Sequence, residues 1–180
     1  MSRWHLSLVL ITAAAAFAAP AAAADPDQIG CPVEALAAPD RERLAEHVRR
    51  QGQPTEPAMQ VFYRSVDGCV SRHGWSAGAA RQSIIYNLAF IGQRQTRALL
   101  EERGVEVAEI ERLLLADAET IAASRTESAP EAMLAFYNGL DPAMRRRLEA
   151  EERGDTAELL GSFLMFRAAL ETSRADFALQ

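Results

Sequence analysis

The side chains whose types and spacing could do chemistry are few. Cys31 and Cys69 are the only cysteines of the 180-residue chain. An even count behind an export signal reads as one disulfide, because the receiving compartment is oxidising. A redox-active pair would sit as C-x-x-C, and these two are 38 positions apart. His73 falls on an apolar helical stripe next to Gly74 and Trp75, where it could line a pocket. Its place at a helix end fits a partly buried cap residue better. His47 lies among charges and reads as solvated. There is no H-E-x-x-H and no H-x-H, and the disulfide leaves no thiol for a metal, so no zinc site is expected.

Nucleophile chemistry finds equally little support. No serine sits in G-x-S-x-G. Ser71 and His73 are two positions apart on a helix and do not face each other, and Asp117 and Glu119 have the same problem. All 19 basic residues are arginine. A chain without lysine can form no Schiff base, anchor no pyridoxal phosphate and build no phosphate-binding loop. No catalytic residue, metal or cofactor is expected.

Three sets of polar residues remain as contact candidates. Asn87, Arg94 and Gln95 stand in the most apolar stretch of the chain. A buried polar group must find a partner or cost roughly 1–3 kcal/mol, so Asn87 and Gln95 either bond within the protein or serve a ligand. Arg145, Arg146 and Arg147 form the densest charge run. They read as the wet face of a short helix between Met144 and Leu148, or as a docking patch for an acidic partner. His73 with Trp75 is the third set.

The elements that must position these residues all read as helices. Asp40 and Thr55 are candidate caps for helices ending at Gly52 and Gly74. Met59, Phe62, Val66, Cys69, Val70 and His73 share one face of the second, which turns Cys69 inward. Ser76 starts a long helix over about 77–103, ahead of Gly104, with Ile84, Leu88 and Ile91 expected among its least exposed residues. A helix over 107–124 follows, then shorter ones ending near Gly139 and Gly154, and a last one rich in large apolar residues. No stretch alternates with period two. The expectation is an all-α, compact multi-helix bundle of about six to seven helices. Glu101-Glu102-Arg103-Gly104 recurs as Glu151-Glu152-Arg153-Gly154, but two copies of a common helix ending do not make a repeat array.

The N-terminus carries the parts of a secretory signal: Arg3, the uncharged run Leu6 to Ala16, and Ala22-Ala23-Ala24 before Asp25. The apolar stretch stops at Pro20, short of the roughly 20 residues that a membrane span needs. The expected organisation is a signal peptide at 1–24, an irregular arm at 25–38 and one helical domain at 39–180. Removing Arg3 leaves 18 basic against 25 acidic side chains, a formal charge of −7. That surface suits neither nucleic acid nor anionic lipid.

These readings describe a periplasmic or secreted protein with three open classes of function. A non-catalytic interaction or adaptor protein, partnered by another envelope protein, comes first. A helical module holding a small apolar ligand within the bundle is second, and an enzyme of unrecognised type third. An exposed apolar groove favours the first, an enclosed cavity near Asn87 the second, and a cleft joining His73 to carboxylates the third.

Overall fold

The structure, a computed structural model, describes residues 23–50, 52–124, 126, 128–149 and 156–180. Positions 1–22, which hold most of the expected signal peptide, lie outside the described residues, as does the second E-E-R-G copy at 151–154. Among the described residues there are nine α-helices and no strand, so the fold is all-α.

The arm departs from the expected irregular segment. Asp25 caps a 3-10 turn at Pro26–Gln28 through the Asp27 amide, and α1 (Cys31–Glu34) adds one α-turn with a proline at its start. The helix α2 (Ala38–Arg49) has Ala37 at its cap position, three residues before Asp40, and Asp40 instead pairs with Arg43 at 2.6 Å. The helix α3 (Pro57–His73) has Glu56, not Thr55, at its cap position and ends on Gly74. Gly74 takes φ 67°, a left-handed conformation that costs a glycine little, and its N–H bonds to the Val70 carbonyl.

Ser76 starts α4 (Ala77–Glu102) as expected, its hydroxyl accepting the Ala79 N–H at 3.0 Å. The helix expected over 107–124 is two helices, α5 (Val107–Ala116) and α6 (Ala118–Ala123). Asp117 breaks it, because its carboxylate takes the Thr120 N–H at 3.0 Å and caps a new helix. Then come α7 (Ala129–Gly139), α8 (Pro142–Glu149), capped by Asp141, and α9 (Thr156–Ala178).

The antiparallel pair α4 and α9 is the axis of the bundle. Ala79 packs in one cluster with Phe177, Gly92 faces Phe166, the Arg97 guanidinium lies 5.5 Å over the Phe163 ring, and Arg103 reaches Thr156. This explains a correction within α4. Ile91 is buried, but Ile84 and Leu88 are only half-buried. The fully buried positions are Ala79, Ser83, Asn87 and Leu100. Close approach of two helices favours small residues at the seam. A Cβ on Gly92 would stand 2.5–2.7 Å from three carbons of the Phe166 ring. The branched side chains are displaced sideways, against α2 and α3.

Three apolar clusters surround this axis. Leu100, Val107, Ile110, Leu114, Met133, Phe136, Leu160, Phe163 and Leu164 form the far one, where α5, α7 and α8 cover the start of α9. Leu36, Leu44, Met59, Phe62, Val66 and Ile91 join α2 and α3 to α4. Ile29, Cys31, Cys69, Trp75, Ala79 and Phe177 close the near end.

Candidate functional site

Cys31 and Cys69 form the expected disulfide, with their Cα atoms 6.2 Å apart. The bridge is one of several ties on the arm. Ser65 Oγ donates to the Pro32 carbonyl at 2.7 Å. Ser83 Oγ and Asn87 Nδ2 both donate to the Ile29 carbonyl, at 2.7 and 2.8 Å. Asn87 also bonds back to the Ser83 carbonyl at 2.8 Å. This amide therefore fastens the arm to α4, and its buried polar group is answered within the protein. Ser65 and Ser83 escape a sequence reading, since neither stands in a motif.

His73 is half-buried and stacks on Trp75, their ring centroids 5.5 Å apart, and Trp75 meets the edge of Phe177 at 5.1 Å. No carboxylate bonds to His73 among the described residues. The Trp75 indole N–H is buried without a partner among them. The arginine run is split. Arg145 is half-buried near Tyr137 and Arg146 is exposed, while the side chain of Arg147 lies outside the described residues. Tyr137 donates to Glu149 at 3.2 Å, and burial, helped by that carboxylate, raises its pKa above the ordinary value.

His47 corrects the expectation of a solvated side chain: it is 5 % exposed. The chain after α2 folds back through Gly52, whose N–H bonds to the His47 carbonyl, and brings Glu56 to the ring at 3.3 Å. Glu56 also accepts the Gln53 N–H and the Arg50 guanidinium, each at 2.9 Å. The Gln53 amide, followed by the His47 and Arg50 bonds, holds its carboxyl below the ordinary range against the opposing effect of desolvation.

A second charged knot ties three helices. Glu111 of α5 pairs with Arg97 of α4 and with Arg167 of α9, the latter at 2.7 Å, and Arg167 also holds Glu171 at 2.6 Å. This carboxylate sits between two cations. Among the described residues no group of three His, Cys, Asp or Glu side chains is arranged to hold a metal ion.

Apolar surface remains open at three places around the axis. A cleft of about 450 Å³ between α1, α2 and α4 is floored by Val33, Ala45, Phe90, Ile91 and Ala98, with Arg41, Glu42, Arg94 and Gln95 around it. Gln95 is fixed there by its bond to the Ala45 carbonyl at 2.7 Å. A second cleft, of about 500 Å³, lies between α2, α3, α4 and α9. Met59, Tyr63, Ile85, Leu88 and Phe166 line it and His47 stands at its wall. The third, about 430 Å³, is a groove between α7 and α9 with Met133, Leu134, Tyr137, Gly161, Leu164 and Met165. Leu134 is 60 % and Met165 40 % exposed. Of the contact candidates read from the sequence, Arg94 and Gln95 reach one of these three surfaces, the cleft between α1, α2 and α4.

Among the described residues, no helix is long and apolar enough to cross a membrane. No family model, curated protein or solved structure matches the chain. Function must therefore be argued from the chain's own surfaces.

Proposed function

We propose that the protein is an exported, non-catalytic adaptor of the bacterial envelope that receives an apolar helical segment of another envelope protein in the groove between α7 and α9. The observation that carries this reading is the groove itself. Large apolar side chains seldom stand this exposed in a contiguous patch without an interaction to serve. Two walls of helix with an apolar lining match the way an amphipathic helix is received. Met133 and Met165 add flexible, polarisable contacts that adapt to a partner's shape. A Cβ on Gly161 would meet nothing within 4 Å, so the floor is open at that point.

Export is supported by the signal-like N-terminus and by the disulfide, which an oxidising compartment maintains. The thin catalytic inventory and the internal commitment of Asn87, Glu111 and His47 turn the balance away from enzyme chemistry. They also count against an enclosed ligand site at Asn87.

The test uses the full chain expressed in its host with a photoreactive amino acid at Leu134, at Met165 or, as a control, at exposed Asp67 on α3. A single envelope adduct of one mass from both groove positions, absent from Asp67 and lost with Gly161→Trp, is the expected result. Adducts of equal yield from all three positions, or none from the groove, would overturn the proposal. N-terminal sequencing of the envelope-fraction protein should begin at or near Asp25. An intact Met1 in the cytoplasm would remove the exported part of the reading.

A further inference from the structure

The cleft between α1, α2 and α4 differs from the other two in the charges at its mouth. Arg41 and Arg94 both line it, both are exposed, and neither has an ion-pair partner among the described residues. Arg43, Arg49, Arg50, Arg97, Arg112, Arg167 and Arg174 are paired with carboxylates, whereas Arg41 and Arg94 leave their charge open at one mouth. Arg94 lies 5.7 Å from the centroid of the Phe90 ring, so its guanidinium rests over the apolar wall. One carboxylate, Glu42, shares the lining, which leaves a local excess of positive charge in a protein of net charge −6. Beneath the mouth the lining is Val33, Ala45, Phe90, Ile91 and Ala98, and the volume is within the range of small-molecule sites.

From this juxtaposition we infer that the cleft binds a single-chain anionic amphiphile, with its hydrocarbon tail on the Phe90–Ile91–Ala98 wall and its carboxylate between Arg41 and Arg94. Apolar depth alone would accept any tail. The two free guanidiniums select the sign of the head group, because an arginine fork matches a carboxylate in geometry as well as charge. Glu42 opposes the head group and limits affinity. The site is separate from the α7–α9 groove and does not depend on the adaptor reading.

Calorimetry on the full mature chain tests it. The probes are dodecanoate, dodecanol and dodecyltrimethylammonium, each below its micelle-forming concentration. Dodecanoate should bind one to one and more tightly than the alcohol, and the cation should bind weakest. Arg41→Glu and Arg94→Glu should each weaken dodecanoate about fivefold, the scale of one partly exposed ion pair, and leave dodecanol unchanged. Glu42→Gln should strengthen dodecanoate. Ala98→Trp, at an exposed position that fills the cleft, should abolish binding of both, with melting temperature serving as the check on folding. Equal affinity for the three probes, or dodecanoate binding that survives Ala98→Trp in a folded protein, would overturn the inference.

Discussion

The two ends of the α4–α9 pair are held by different means. At the near end, few apolar residues are available and the arm is short. It is fixed by the Cys31–Cys69 bridge and by three side-chain hydroxyl and amide bonds to the Pro32 and Ile29 carbonyls. At the far end, α5 to α8 are held by dense apolar packing around Leu160 and Phe163, without a disulfide. A segment too small to bury much surface must be tied group by group, whereas one that supplies whole helices can rely on water's exclusion.

The largest expected effect lies at the far end. Leu160 is completely buried, so Leu160→Ala should cost ~2–5 kcal/mol in denaturant unfolding. A variant that unfolds like the parent would show that the far cluster is not a true core. Removing the bridge with Cys69→Ser should cost up to ~4 kcal/mol on the loop-entropy estimate. Hydrogen exchange should then show loss of protection near Ile29 and Trp75 while the α5 and α9 amides around Leu114 and Leu160 stay protected. Uniform loss would erase the contrast between the ends.

Asn87→Ala comes next, at ~1–3 kcal/mol, since it strips one of two donors from the buried Ile29 carbonyl. Amphiphile affinity should be unchanged in this variant, and a fall in it at constant stability would contradict the arm-fastening role. Leu88→Ala should cost only about 1 kcal/mol, because the side chain is half-buried and lines an open cleft. A loss as large as that of Leu160→Ala would restore Leu88 to the core.

The smallest effect is a pH response confined to the turn between α2 and α3, away from either end. Glu56 is held below its ordinary pKa in the folded state, chiefly by the Gln53 amide. Its stabilising contribution is present above the ordinary carboxylate range and is lost as pH falls through the lowered value. Protection of the Gln53 amide should follow that loss, and Glu56→Gln should flatten it.

Much of this architecture was legible in the residues. Cysteine count and export context paired Cys31 with Cys69, Gly74 ended α3, and Ser76 opened α4 where expected. What escaped depends on which neighbour a residue meets. Apolar spacing marked Ile84 and Leu88 as inward, but not that the α9 seam would take Gly92 and Ala79 and leave the branched side chains beside it. His47 was hidden for a related reason: only the return of the chain through Gly52 buries it, and no local pattern encodes that return. Asp117 sat inside a good helical period, where its competing role as a cap overrode the periodicity. The candidate clefts were the least legible. Arg41 and Arg94 are 53 positions apart, and nothing local announces that α2 and α4 bring them to one mouth.

The packing of α9 along the whole of α4 also sets a timetable. A ribosome makes α9 after every other helix described here, yet both ends wait for it. Phe177 completes the cluster around Trp75, Arg174 reaches back to Asp27 at 3.0 Å, and Leu160 and Phe163 fill the far cluster. Until that last segment emerges, the cluster that joins α2 and α3 to α4 has all its residues on hand, while the clusters at the two ends do not. Closure of both end clusters therefore has to await the synthesis of α9.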